Sequence, residues 1–335
     1  MKGKSVMSDN KENRSDRSII NNIVEIKNLT KDYGELTAVD NLSLNIREGE
    51  IFGLLGPNGS GKTTTINCML SLIGYNRGKI SIFGKEMSAR AYDVKKEIGI
   101  VLQDVAVFEE LTVEENIRYF CGLYVTDKIE LNCCVEEALR FVELSDFRKF
   151  RPKKLSGGLL RRLNIACGIA HKPRFIILDE PTVAVDPQSR NNILEGIKEL
   201  NRQGATILYT SHYMDEIEQL CTDIAIMDRG KIIARGTKEE IKAMIGIEEK
   251  IEIHISGCED TEALINLLKE MPAVKSAGFR EETLCIVSQK GKYCLAKVLG
   301  LLEENNIRVR KVISKEPTLN DVFLEITGKE LRDNV

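Results

Sequence analysis

Ile51-Phe-Gly-Leu-Leu-Gly-Pro-Asn-Gly-Ser-Gly-Lys-Thr-Thr64 is the stretch on which the reading of the chain turns. Ile51 to Leu55 are apolar and read as a buried strand. Gly56 to Thr63 spell G-x-x-x-x-G-K-T, and residues 64–73 read as a helix. Strand, glycine loop and helix start, in that order, are the setting in which this motif cradles phosphate. The reason is geometric. Gly56, Gly59 and Gly61 let the main chain curl so that successive N–H groups converge on one anion, and Pro57, Asn58, Ser60 and Thr64 complete the loop and its exit. The helix behind the loop adds unpaired N–H groups and a partial positive charge. Lys62 can then reach the β- and γ-phosphates, and the Thr63 hydroxyl can ligate Mg2+. These residues predict a nucleoside-triphosphate site.

Around that stretch, 335 residues suit two domains. Hydrophobic residues at 42% and charged residues at 30% describe a soluble chain with ample core, and a net charge of −3 gives no global argument for nucleic acid or an anionic membrane surface. No apolar run approaches the roughly 18 residues of a membrane span, and the first residues lack the apolar core of a signal peptide. Nine cysteines, an odd count without C-x-x-C spacing, include Cys68, Cys167, Cys221 and Cys285 inside apolar patterns. They read as reduced structural thiols of a cytoplasmic chain.

Residues 1–22 are polar and aperiodic, and are expected to form a disordered tail. From Ile23, IVEIKNLTKDYG and TAVDNLSLNI alternate around a turn at Gly34, which predicts an antiparallel hairpin with one wet face. GKISIFGK adds a short strand pair, followed by a mostly helical part over about 88–170, where Val135, Ala138, Leu139 and Val142 fall at i, i+3, i+4 and i+7. Phe175-Ile-Ile-Leu178 then reads as a buried strand ending in Asp179 and Glu180. Helix 189–202, strand 206–209, helix 215–220 and strand 224–227 continue the alternation, so an α/β fold with a mostly parallel sheet is expected. Its ligands belong at the carboxyl ends of the strands, where the glycine loop, Asp179 and Ser211-His212 fall. A break near Gly246 closes a first domain over 23–245. Residues 248–335 read as β-α-β-β-α-β, a small α+β ferredoxin-like domain, and a last helix over 319–326 with Thr318 as its N-cap.

Two further readings come from residue types alone. Ser156, Gly157 and Gly158 open the helix LLRRLNIACGIA, and glycines ahead of a helix make a second anion site. Asp179 and Glu180 are adjacent, and strand alternation predicts separate environments for them. His171 and His254 read as ordinary packing or surface residues.

In order, GPNGSGKT, Leu155-Ser-Gly-Gly158, FIILDE and His212 in TSHYMDE resemble the ATP-binding subunit of an ABC transporter over about residues 24–245. EPTVAVDPQSR and the ending PTLNDVFLEITGKELRD resemble the ABC-2 export subfamily, whose permease is a separate chain. The resemblance implies the P-loop NTPase fold of an ABC nucleotide-binding domain, with antiparallel β and helical subdomains. It implies ATP and Mg2+ as ligands, with the adenine stacked on Tyr33. Gln103 would touch the metal and the attacking water, Asp179 would hold the metal's shell, and Glu180 would act as general base. His212 would contact the γ-phosphate. The second anion site is resolved by a head-to-tail dimer with a like or closely related subunit, Ser156, Gly157 and Gly158 capping the partner's ATP and Asp186 lying at the shared interface. Val105, Val107, Phe108 and Leu111 would meet the permease, holding the chain at the inner face of the cell membrane.

Leu159 stands where relatives usually carry Gln or Met, and Ala184 where Gly is frequent. One alternative is a soluble ATPase of this type working on ribosomes or DNA. That class typically carries two phosphate loops or a coiled-coil insertion, whereas this chain has one G-x-x-x-x-G-K-T, no sustained heptads and no basic stripe, so no nucleic-acid partner is expected. A regulatory ATPase with the C-terminal domain as sensor is the other.

Overall fold

The computed structural model describes residues 21–183, 185–245, 247–257, 260–280, 282–289 and 292–328. The expected tail lies outside the described residues up to position 20, as do Ala184 and Gly246. The chain opens on an antiparallel hairpin, β1 (Asn22–Tyr33) and β2 (Leu36–Arg47), so Asn22 belongs to a strand. β3 (Ile51–Leu55) runs through the glycine loop into α1 (Lys62–Met69). β4 (Arg77–Ile82) pairs with β1, and β5 (Lys85–Glu86) with β4. Then come α2 (Tyr92–Lys95), β6 (Ile98–Val101), α3 (Val113–Gly122), α4 (Lys128–Phe141) and α5 (Gly157–Ile169). The part expected to be mostly helical from about residue 88 opens with the short helix α2, carries the strand expected just before Gln103 as β6, and has its long helices from Val113 onward.

β7 (Phe175–Asp179), α6 (Pro187–Arg202), β8 (Thr206–Ser211), α7 (Met214–Leu220), β9 (Asp223–Asp228), β10 (Lys231–Gly236) and α8 (Lys238–Lys242) complete the first unit. The main sheet has the order β10-β9-β3-β8-β7-β6, parallel throughout except for β10. Alternate residues of its strands enter two different cores. Phe52, Leu54, Phe175, Ile177 and Leu208 pack with the hairpin sheet and α1, while Ile51, Leu55, Ile176, Leu178 and Ile207 pack under α3 to α7. Both faces are covered, which is why these strands read as unbroken apolar runs.

The second unit runs β11 (Ile247–Ser256), α9 (Thr261–Lys269), β12 (Val274–Arg280), β13 (Thr283–Gln289), α10 (Leu295–Glu304) and β14 (Arg308–Lys315). Its four strands are antiparallel in the order β12-β13-β11-β14, the ferredoxin-like arrangement. Ile251, Ile253, Leu268, Leu284, Ile286 and Val298 form its own core. The last helix, α11 (Leu319–Thr327), is capped by Thr318 and Asp321 as a reciprocal box. It then returns to the first unit. Leu319, Val322 and Phe323 are buried in the same core as Ile217, Ile241 and Ile245, and Leu319 N donates to Glu218 Oε1 at 2.7 Å. Asp321 and Glu325, on the same helix, pair with Lys250 and Lys275 of the second unit. The packing thus crosses the boundary expected near residue 246.

Candidate functional site

The site is built at the carboxyl ends of β3, β7 and β8, which lie side by side with Leu55 opposite Ser211 and Asp179 opposite Thr210. Gly61 has φ 107°, and a Cβ there would lie 2.5 Å from the Ala38 carbonyl oxygen, so only glycine lets the loop turn this close to β2. No side chain caps α1. Lys62 is buried beneath the loop, where Nζ donates to Gly56 O at 2.8 Å and Pro57 O at 3.2 Å. It also pairs with Glu180 Oε1 at 3.2 Å.

The two carboxylates face different partners. Asp179 accepts from the hydroxyls of Thr63, at 2.9 Å on Oδ2, and of Thr210, at 2.6 Å on Oδ1. Glu180 lies against cationic and imidazole groups, with Oε1 on Lys62 and Oε2 at 3.1 Å from His212 Nδ1. Burial pushes the Glu180 carboxyl up, but the His212 hydrogen bond and the Lys62 charge outweigh it and hold the group below the ordinary carboxylate value. Different environments are thus present as expected, yet both side chains serve the same loop. Strand alternation does not produce this: Glu180 has φ 48° and leaves the strand conformation.

The expected residues fall into two groups. Gly56, Pro57, Lys62 and Thr63 of the loop form one hydrogen-bonded cluster with Asp179, Glu180, Thr210 and His212, and Asn58 to Gly61 and Thr64 complete the same loop and its exit. Ser156, Gly157, Gly158 and Asp186 form the other. Ser156 Oγ accepts from Leu159 N at 3.4 Å and caps α5, while Asp186 caps α6 by accepting from Ser189 N at 2.9 Å. A Cβ on Gly158 would lie 2.6 Å from Ser189 Oγ and 3.2 Å from Asp186 Oδ2, so the two helix starts abut. Ser156, Gly157 and Asp186 are exposed, and among the described residues no hydrogen bond joins this group to the first. Leu159 packs partly buried against the main core.

Tyr33 ends β1, 49% exposed, with Lys31 Nζ 4.7 Å from its ring centroid. Its hairpin flanks the loop through the Ala38–Gly61 approach. Gln103 follows β6 with an exposed side chain, which forms no hydrogen bond to Asp179 or Glu180 among the described residues. His171 stacks on Tyr124 at 4.0 Å and His254 bonds Thr283 at 3.1 Å, both in packing roles. The eight described cysteines are free thiols, and burial pushes Cys121 up to about 12.

Sequence reasoning missed Thr210 and Glu216. Besides holding Asp179, Thr210 accepts from Glu180 N through its hydroxyl at 3.0 Å and its carbonyl at 3.2 Å. Glu216 is buried and accepts from Thr182 Oγ1 at 2.7 Å, Tyr209 OH at 2.8 Å and Ser211 Oγ at 2.9 Å. Ser211 Oγ in turn accepts from Tyr213 N at 2.9 Å, so the turn bearing His212 is braced on both sides. In sequence, Glu216 looks like an ordinary acidic residue in a helix's first turn. The one available signal for Thr210 was its place at a strand end beside Asp179.

The donor set fits a magnesium–triphosphate group. Thr63 Oγ1 and Asp179 Oδ2 are hard oxygens at the loop mouth, the type this ion prefers. Ser60 Oγ is buried without a hydrogen-bond partner inside the loop, and α1 presents an uncapped N-terminus.

Fold and site together define a P-loop nucleoside-triphosphatase. The family model for the ABC transporter matches residues 39–183. The chain is 37% identical over 313 residues to the linearmycin resistance ATP-binding protein of Bacillus subtilis (strain 168), covering 93% of this chain and 100% of that protein. It is 33% identical over 313 residues to a Nod factor export ATP-binding protein of Ralstonia nicotianae, covering 93% and 95%. A dimeric ATP-binding cassette in a post-hydrolysis state bound to ADP and Pi superposes with a TM-score of 0.59 at 29% identity, over 64% of this chain and 98% of that one. The chain belongs to the ABC transporter family, among its ATP-binding subunits, and its activity is ATP hydrolysis.

Proposed function

We propose that this chain is the energy-coupling subunit of an ABC-2-type exporter, working as a head-to-tail dimer on a separate permease at the cytoplasmic face of the membrane. The observation that carries the dimer is the division of the site into two groups. Lys62, Thr63, Asp179, Glu180 and His212 are joined in one cluster, while Ser156 and Gly157 stand exposed elsewhere on the same chain, with Gly158 buried behind them. A second copy turned head to tail would bring the missing half to each nucleotide. Export is supported by relatives named for linearmycin resistance and Nod factor export. A permease contact is supported by Val105 and Phe108, which are exposed, with Phe108 in a ring cluster with Tyr119 at 4.9 Å and Phe120 at 5.8 Å. Val107 packs on the core instead.

In this reading Lys62 and the main chain of 56–63 bind the β- and γ-phosphates, and Tyr33 stacks on the adenine. Thr63 and Asp179 would hold Mg2+, with Gln103 completing its surroundings; the ion supplies charge neutralisation on the phosphate oxygens. Glu180 accepts the proton of the attacking water, and His212 holds the Glu180 carboxylate in place and senses the γ-phosphate.

Glu180→Gln tests this. The amide keeps the shape and loses the basicity, so hydrolysis should fall by a factor of about 10² or more while ATP still binds. ATP, but not ADP, should then shift the variant from monomer to dimer in size-exclusion chromatography with light scattering. Adding Ser156→Arg should abolish that dimer. Parental hydrolysis by Glu180→Gln would overturn the assignment of the base.

A further inference from the structure

Arg161 lies one turn into α5, five residues after Ser156, and only 4% of it is exposed. Its guanidinium makes three hydrogen bonds, all to main-chain carbonyls. Nη1 donates to Gln103 O at 2.5 Å, Nη2 to Glu180 O at 2.6 Å and Nε to Pro181 O at 2.6 Å. One turn further along, Asn164 holds the same loop from below, accepting from Ala106 N at 3.1 Å and donating to Leu102 O at 3.4 Å. The helix that begins at the partner-facing Ser156–Gly158 is therefore tied directly to the main chain of both residues assigned to the attacking water.

A buried cation neutralised by carbonyl dipoles rather than a carboxylate is a costly way to fill space. What the guanidinium offers is a rigid planar fork that can hold several acceptors from separate segments at fixed angles. Here two segments are held, and one of them is strained. Glu180 is left-handed at φ 48°, its N–H fixed by Thr210 and its carbonyl by Arg161. A shift of α5 cannot leave the Glu180 main chain or Gln103 where they are.

We propose that Arg161 is a positioning residue that couples the docking of its own Ser156–Gly158 helix on the partner to the alignment of Glu180 and Gln103. Hydrolysis in each chain then depends on that chain's own signature helix being seated, besides the helix the partner contributes. The inference rests on the reading of Glu180 as general base. Arg161 touches neither nucleotide nor water, so its loss should slow turnover without weakening ATP binding.

The test uses the full chain with Arg161→Gln and Arg161→Lys. Steady-state ATP hydrolysis should show kcat lowered at least tenfold in the glutamine variant, with KM for ATP within twofold of the parent. Lysine keeps the charge but lacks the fork, and should fall between glutamine and parent. In the Glu180→Gln background, Arg161→Gln should still give the ATP-dependent dimer, a readout that misfolding would abolish. A glutamine variant with parental kcat overturns the proposal, as does a KM that rises in step with the fall in kcat. Should glutamine fail to fold, parental kcat in the lysine variant does the same. If Glu180→Gln alone hydrolyses ATP at the parental rate, the base assignment fails and the inference with it. If that variant is dead while Arg161→Gln is fully active, only the coupling is wrong.

Discussion

Phe323→Ala should destabilise the first unit although residue 323 lies at the far end of the second. Phe323 is 3% exposed, Leu319 and Val322 are fully buried, and all three share the core of Ile217, Ile241 and Ile245. Burying one such side chain contributes about 1.5–3 kcal/mol. The three together then contribute an upper estimate of roughly 5–9 kcal/mol, comparable with the whole stability of an ordinary domain, about 5–15 kcal/mol. Removing the phenyl ring alone should cost about 3–5 kcal/mol, transfer and cavity terms included. At roughly 2–4 °C per kcal/mol for a unit of this size, the melting temperature of the ATP-binding unit should drop by on the order of 10 °C. Calorimetry with and without ATP reads it, because the transition that ATP shifts upward belongs to the nucleotide-binding unit. The same reasoning makes a chain cut at residue 247 retain every site residue yet melt lower than the full chain. A loss under about 1 kcal/mol in Phe323→Ala, or a truncated chain melting at the parental temperature, would refute the packing argument.

Lys62→Ala should lose at least tenfold in ATP affinity, at about 1.5–3 kcal/mol per charge-assisted hydrogen bond lost, and show no measurable hydrolysis; isothermal titration and a phosphate-release assay check both. Tyr33→Ala should raise KM far more than it lowers kcat, since stacking contributes about 1–3 kcal/mol of uniform binding, and Tyr33→Trp should restore it. Asp321 supplies a pH test. Burial pushes its carboxyl up, but the Lys250 ion pair and the bonds from Thr318 outweigh it and lower it from the ordinary 3.8. A depressed folded-state value gives stability that is present above the unfolded value and is lost as pH falls through the folded one. The parent should therefore lose melting temperature more steeply below about pH 4 than Asp321→Asn does.

How much could be read from the sequence follows from what each feature depends on. The glycine loop, the apolar strands and the β-α-β-β-α-β order are local patterns, legible because each strand's burial is written in its own residues. The Thr318 cap and the last helix behind it were equally local and were read from the sequence. They did not say what would cover the helix, because Ile217, Ile241 and Ile245 lie roughly 75 to 105 positions away. β10 and α8 went unread although Thr237 and Glu240 form a capping box that the spacing T-x-x-E displays. Arg161 and Glu216 were illegible for another reason. Their partners are main-chain carbonyls for Arg161 and, for Glu216, hydroxyls and the Arg190 guanidinium, all brought in by the fold, and neither residue type at that spacing carries a signature.

The adjacency of Asp179 and Glu180 shows how one dihedral angle decides a site. In an uninterrupted strand, neighbouring side chains point to opposite faces of the sheet. Asp179, the last residue of β7, follows the rule and meets Thr63. Continued for one more residue, the rule would carry Glu180 away from the glycine loop. Its φ of 48° turns the chain instead, and the carboxylate comes back to Lys62, the residue just before Thr63. A left-handed residue with a Cβ costs about 1–2 kcal/mol, so the conformation persists only where contacts hold it. Here the Glu180 N–H is held by Thr210, its carbonyl by Arg161 and its carboxylate by Lys62 and His212. Glycine at this position would relieve the strain but remove the carboxylate, and a strand-like backbone conformation would keep the carboxylate but aim it elsewhere. The chain therefore carries a strained glutamate, and the buried polar residues around it, Thr210 and Arg161 among them, are what keep it in place.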